Sequence, residues 1–241
     1  RVWHFQVVHH DLWDYDIPAQ PALFTVRRGG REIPAVAQAT KMGHLFLFDR
    51  ETGEPLFPIE ERPVPASTVP GETAWPTQPF PTLPPPLVPQ GLTAADAWGR
   101  TDQGRHVCRD RMAGLRADGM FTPPSLEGSI LFPGNIGGSH WGGVAVDPAR
   151  GLIVTNTNRL ATVIRLIPRA EFDGARRAAS GRPLTEFAPQ AGTPYGVLRE
   201  WLIQPDWTPC SPPPWGALTA VDAATGEVRW EVPLGRIPML E

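Results

Sequence analysis

Residues 218–230, LTAVDAATGEVRW, carry the pattern on which the fold is read: a short apolar strand, the turn Asp222-x-x-Thr225-Gly226, and a second strand ending in the indole of Trp230. Asp and Thr side chains close such a turn through hydrogen bonds to its own backbone, and Gly supplies the positive φ. The aromatic is then placed to dock on a neighbouring unit. The scheme recurs at Phe48-Asp49-Arg50-Glu51-Thr52-Gly53-Glu54-Pro55-Leu56-Phe57, with Phe57 where the indole would fall. Val146-Asp147-Pro148-Ala149-Arg150-Gly151 is a third trace, and Trp3 reads as the terminal indole of a fourth unit that begins before Arg1. Short antiparallel units stitched side to side by recurring aromatics predict a β-propeller.

The rest of the chain agrees with an all-β class. Thirty prolines and 24 glycines in 241 residues leave little room for long helices. Short strands are predicted at Val2–Val8, Ile33–Gln38, His44–Asp49, Ser129–Phe132, Val144–Asp147, Leu152–Asn156, Thr162–Ile167 and Leu218–Asp222, each bounded by Gly, Pro, Asn or Asp. Arg28-Gly29-Gly30-Arg31 is a hairpin turn by composition. Three short helices are expected at Leu92–Ala97, with Thr93 as N-cap, at Arg105–Ala117, and at Ala170–Ser180, where Gly174 weakens the pattern. Pro58–Pro89 carries proline at nearly every third or fourth position, which predicts an extended excursion over the surface. Its Trp75, Phe80 and several Leu and Val residues would be wasted on a solvated tether, so an ordered loop is expected. The whole of 1–241 is read as one partial propeller domain, with 58–120 an inserted Pro-rich and helical excursion.

Composition excludes several classes. A formal charge of −3 without a basic run leaves no electrostatic footprint for nucleic acid. No stretch approaches the roughly 20 apolar residues of a membrane span. Arg1 is not an initiator residue, and the chain reads as an internal piece. Cys108 and Cys210 lack zinc-site spacing; a disulfide and two buried thiols stay equally open.

The chemistry concentrates in Val8–Asp16, VHHDLWDYD, where two imidazoles, three carboxylates and two ring side chains share nine residues. Trp seeks a pocket wall, whereas Asp and His seek partners that tune their charge. Asp11 is placed to orient an imidazole or to cap the backbone, and His9, His10 and Asp11 are read as supporting residues around the site. Adjacent residues of an extended chain face opposite ways, so His9 and His10 are not expected to share an ion.

These intervals match the tryptophan-docking motif of quinoprotein dehydrogenases, and the chain resembles their membrane-bound glucose dehydrogenase branch. The resemblance rests on VHHDLWDYDIPAQPAL (8–23), KMGHLFLFDRETGE (41–54), PTQPF (76–80), FTPPS (121–125), FPGNIGG with the following WGG (132–143), and PYGV (194–197). It implies the middle blades of an eight-bladed propeller that holds pyrroloquinoline quinone (PQQ) near its axis with a divalent cation, calcium or magnesium. It further implies oxidation of an aldose, glucose to gluconolactone, with electrons passed to ubiquinone. The enzyme would be periplasmic and attached to the inner membrane through an amino-terminal region absent from this chain. The family's base falls on Asp14, which is also a candidate ligand of the cation, and its quinone-contacting lysine on Lys41. His140 aligns with a cofactor-contacting polar position, and Trp141 is read equally as a cofactor contact or a packing aromatic. Gly134–Gly138 is expected to let backbone approach a flat ligand closely.

Oxidising an alcohol needs a base for the hydroxyl proton and an electrophile for the hydride, which the resemblance assigns to Asp14 and the quinone. Another polyol or quinate would be served by the same residues, and a non-catalytic propeller scaffold would need neither Asp14 nor Lys41. The isolated chain is expected to be inactive, because missing blades leave open strand edges and half of the cofactor's walls undefined.

Overall fold

The computed structural model describes residues 2–236. In chain order its strands are β1 (Ala22–Arg28), β2 (Arg31–Ala39), β3 (Leu45–Asp49), β4 (Ile59–Pro63), β5 (Thr77–Pro81), β6 (Ser129–Leu131), β7 (Ala145–Asp147), β8 (Leu152–Asn158), β9 (Thr162–Pro168), β10 (Thr185–Ala188), β11 (Tyr195–Trp201), β12 (Gly216–Asp222) and β13 (Val228–Pro233). Two α-helices, α1 (Asp102–Met112) and α2 (Arg169–Ala178), and a 3₁₀ turn at Ala94–Asp96 complete the set. The strands form antiparallel sheets β1-β2-β3, β4-β5, β10-β11-β9-β6 and β13-β12-β8-β7. Arg28 pairs with Arg31 across Gly29 and Gly30, both at positive φ, which is the predicted hairpin.

β3 shows why the sheets stack. Leu45-Phe46-Leu47-Phe48 is apolar at every position, and alternation sends the residues to two different cores. Leu45 and Leu47, with Ala35, Ala37 and Ala39 of β2, pack on Ile153 and Val221 of the β13-β12-β8-β7 sheet. Phe46 and Phe48, with Val36, face the other way onto Leu131, Ile164 and Val197 of the β10-β11-β9-β6 sheet. Each such side chain contributes about 1.5–3 kcal/mol by leaving water, so a sheet covered on both faces is the stable arrangement.

The two docking turns are superimposable in their hydrogen bonding. Gly53 N donates to Asp49 O at 2.8 Å, Asp49 N to Glu54 O at 2.8 Å, and Glu51 and Thr52 N to Asp49 Oδ1. Gly226, Asp222, Ala224 and Thr225 repeat these bonds around Asp222. Trp3 lies on Gly53 so closely that a Cβ there would stand 2.6 Å from the indole, and its Nε1 donates to Arg50 O at 2.8 Å. Phe57 does the same to Gly226, at 3.0 Å from the position of such a Cβ. Both positions are at positive φ, so glycine is needed there for conformation and for room.

Several expectations are corrected. Val2–Val8 forms no strand: it lies along β3 by side-chain contact, without a hydrogen-bonded partner strand. The 146–151 segment is the β7–β8 hairpin, and among the described residues a Cβ on Gly151 would meet nothing within 4 Å. The second helix starts three residues earlier than predicted and ends five earlier, with Thr101 as its N-cap accepting from Gly104 N. Thr93 does cap the short turn before it, and its N–H and hydroxyl both donate to Asp96. β1, β10 and β11 were not predicted, and neither were β4 and β5, which make a hairpin inside the Pro-rich stretch. β8 and β12 are neighbours although residues 159–215 separate them, because that segment builds its own strands onto β6. Cys108 and Cys210 form a disulfide, with Cα atoms 5.4 Å apart, that staples α1 to the loop before β12.

Candidate active site

In the loop 11–16, burial alternates. Trp13 and Tyr15 are fully buried, while Asp14 and Asp16 face out. Trp13 Nε1 donates to Thr122 O and Tyr15 Oη to Pro133 O, both at 2.8 Å, so each ring is inserted in the core with its polar tip satisfied. Burial, and then the Asp11 carboxylate, push the Tyr15 phenol far above its usual range, so it acts only as a donor. Asp11 Oδ1 accepts from Trp13 N at 2.9 Å and closes the turn. Asp14, at φ 65, lies between the two plugs, and its position is dictated by them.

Lys41 opens the turn between β2 and β3 and meets this loop. Its Nζ donates to Asp14 O at 2.8 Å and to Asp16 Oδ1 at 2.6 Å, and stands 3.5 Å from Asp14 Oδ2. The lysine side chain is 7% exposed, whereas Asp14 is 45% exposed. The stem is enclosed by the glycine-rich segment: Gly138 N donates to Lys41 O at 2.6 Å, and a Cβ on Gly137 would lie 2.5 Å from Lys41 Cγ. The close backbone approach expected of these glycines is therefore made to the protein itself: Gly137 to Lys41, and Gly138 to Gly43, whose Cα lies 3.1 Å from the Cβ position.

Beneath the same turn lies His44, which sequence reasoning did not single out. Thr40 Oγ1 donates to His44 O and accepts from His44 N, fixing the turn. Gln90 donates through Nε2 to Met42 O and Val88 O, so its Oε1 is an acceptor and the proton lies on His44 Nε2, 2.8 Å away. Nδ1 is left buried without a partner among the described residues. Gln78 is a second buried support, bonded to both N and O of His9 at 2.8 and 2.7 Å. Neither residue carries a local sequence signal, since each works through a partner more than 40 positions away.

The remaining candidates lie around this centre. His9 Nε2 meets Glu61 Oε1 at 2.9 Å and His10 Nε2 meets Glu72 Oε1 at 3.0 Å, so the imidazoles bind two different carboxylates of the Pro-rich stretch. His140 and Trp141 pack ring to ring at 4.8 Å, and Trp141 is 79% exposed. Gly143, just beyond them, approaches Ala19 Cβ and Gln20 O. Segments 11–20, 40–44 and 134–143 thus meet in one place. Beside Asp14 opens a cavity of about 530 Å³, walled also by Asp11, Glu72, Thr193, Tyr195 and Arg199.

Residues 1–240 match the family model described as PQQ, glucose/ethanol/alcohol dehydrogenase, beta-propeller domain. The chain belongs to this PQQ family. It is 41% identical over 241 residues to quinoprotein glucose dehydrogenase A of Acinetobacter calcoaceticus, covering 98% of this chain and 30% of that protein. It is 39% identical over 236 residues to quinoprotein glucose dehydrogenase of Escherichia coli K12, covering 97% of the chain and again 30% of the relative. The chain therefore spans about a third of the length of these PQQ-family relatives. Among solved structures, quinohemoprotein alcohol dehydrogenase ADHIIG of Pseudomonas putida HK5 has the same fold, with a TM-score of 0.51 at 18% identity, over 97% of this chain and 27% of that one. The stacked, docked sheets are thus part of a PQQ-family β-propeller, left open by the strands present.

Proposed function

We propose that this chain supplies the base and a cofactor-facing lysine of a PQQ-dependent dehydrogenase that oxidises an aldose, glucose to gluconolactone, and passes electrons to ubiquinone, with another polyol or quinate as the alternative substrate. The observation that carries this is the meeting of Asp14 and Lys41 at an open face, with Nζ 2.8 Å from Asp14 O and 3.5 Å from its carboxylate. Lys41, His140 and Trp141 would hold the cofactor. The exposed indole of Trp141, with the His140 ring against it, suits a flat heterocycle, and the Lys41 ammonium suits an electron-rich oxygen. When bound, PQQ supplies an ortho-quinone that accepts the substrate's hydride. Asp14 offers a divalent cation, calcium or magnesium, one carboxylate. Among the described residues no group of three or more His, Cys, Asp or Glu is arranged as a metal site, so the cation's other ligands are not supplied by these residues.

Asp14 takes the proton from the substrate hydroxyl at its carboxylate, held in place by the Trp13 and Tyr15 plugs on either side. Lys41 offsets the negative charge that Asp16 and Asp14 bring together. His9, His10 and Asp11 support the loop, two through Glu61 and Glu72 and one through the backbone of Trp13. A periplasmic location is supported by the Cys108–Cys210 disulfide, which belongs to an oxidising compartment. No helix among the described residues is long and apolar enough to cross a membrane, so attachment would come from another part of the protein.

The test is Asp14→Asn in the full-length enzyme that contains this chain. Sugar-dependent dye reduction is expected to fall by about 10²–10⁴ while PQQ binding, followed by absorbance, is retained. Normal kcat in that variant refutes the assignment.

A further inference from the structure

We infer that Arg199 sets which alcohols are admitted beside Asp14, an inference that rests on Asp14 acting as the base. The cavity next to Asp14, at about 530 Å³, falls in the range of small-molecule sites. The Pro-rich stretch at residues 69–72 and the segment 190–199 leading into β11 build its far wall, and Tyr195 Oη joins them by donating to Pro70 O at 3.2 Å. Arg199 of β11 is the only cation among the described residues that line it, against three carboxylates, Asp11, Asp14 and Glu72.

Arg199 is itself partly spoken for. It stands directly across from Glu186 of β10, and its Nη1 lies 3.2 Å from Glu186 Oε1. The guanidinium carries five N–H donors in a fixed fork, and its Nε is buried without a partner among the described residues. Nη1 is thus engaged by Glu186 and Nε is enclosed, so the Nη2 donors are the ones left for a ligand. A substrate hydroxyl accepts such a bond and adds no charge to a wall already rich in carboxylates. A substrate carboxylate adds charge to a wall that already carries Asp11, Asp14 beside Lys41 and Glu72 beside His10, and it meets a guanidinium that Glu186 already contacts. Arg199, damped by Glu186, selects neutral polyhydroxy substrates over carboxylated ones.

The experiment uses the full-length holoenzyme with glucose and glycerol as neutral substrates and quinate as the carboxylated one. Arg199→Met is expected to raise KM for glucose about tenfold with kcat within about twofold of the parent, and Arg199→Lys to recover part of that loss. Glu186→Gln, which frees the guanidinium, is expected to lower the ratio of kcat/KM for glucose to that for quinate about tenfold. Asp14→Asn is run beside them. If Asp14→Asn keeps its kcat, the reading of Asp14 fails and this inference with it. If Asp14→Asn is inactive while Arg199→Met keeps its KM and Glu186→Gln keeps its substrate ratio, the role of Arg199 alone is overturned. Should Arg199→Met fail to fold, the substrate ratio of Glu186→Gln decides.

Discussion

Acid acts on this chain through His44. The ring is buried against Phe46 and Phe80 and its pKa is pushed from 6.5 down to about 4: burial lowers it, the Gln90 hydrogen bond raises it by less, and the charge of Arg62 lowers it further. A proton would have to go to Nδ1, where the N–H so formed finds no acceptor among the described residues. Between pH 6.5 and 4 the unfolded chain holds a proton that the folded chain does not, so the stability tied to neutral His44 is complete above pH 6.5. It drains away as pH falls and is gone near pH 4. The interval of 2.5 units between those two values corresponds to about 3 kcal/mol in all, of which about 2 kcal/mol is lost by pH 5.

His44→Gln removes the titration and keeps an N–H at the Nε2 position for Gln90. Urea unfolding of parent and variant at pH 7.5, 6, 5 and 4 is expected to show a stability difference that shrinks by about 2 kcal/mol between pH 7.5 and 5. Every carboxylate titrates in both proteins and cancels in that difference. Two pH profiles that run parallel would refute the claim that His44 is held neutral by its surroundings.

Other expectations follow from single contacts. Replacing Cys108 and Cys210 by Ser opens a loop of about a hundred residues and should cost about 4–5 kcal/mol, read as a lower urea midpoint that reduction of the parent reproduces. Gly137→Ala places a Cβ at positive φ and 2.5 Å from Lys41 Cγ, so a loss of about 1–3 kcal/mol is expected. Gly114→Ala, with nothing within 4 Å, is the control that should leave the midpoint in place. The isolated chain with PQQ and calcium added should reduce no dye on addition of sugar, and sustained turnover would show that the residues present suffice.

What was legible in the sequence was what is closed locally. The Asp49 and Asp222 turns complete their hydrogen bonds within five residues, so composition alone reveals them. The Gly29-Gly30 hairpin is legible for the same reason. The approach of Lys41 to Asp14, 27 positions apart, came into view through the family resemblance; spacing alone did not supply it. His44 with Gln90, and Gln78 with His9, could not be read, because each pair is formed by tertiary packing. The Cys108–Cys210 pair stayed open because a separation of 102 positions carries no distance information. Val2–Val8 misled because β-branched and aromatic residues signal a half-buried surface as readily as a hydrogen-bonded strand.

That last segment also explains how docking reaches the site. Trp3 sits on the turn at the carboxyl end of β3, and Lys41 lies just before its amino end. Between them the chain runs along one face of β3, with Trp3 5.7 Å from Phe48, Phe5 4.9 Å from Phe48 and 5.7 Å from Phe46, and Val7 and Val8 entering the same core. A segment that forms no ladder has no register of its own, so side-chain seats must define it. Trp3 fixes it at one end, and Gln78, gripping both backbone groups of His9, fixes it at the other. Five residues beyond that grip, Asp14 is delivered to Lys41 at the opposite end of the strand. Trp3 therefore seats the far end of the segment, while the Gln78 grip on His9 and the buried Trp13 and Tyr15 rings set where the carboxylate stands.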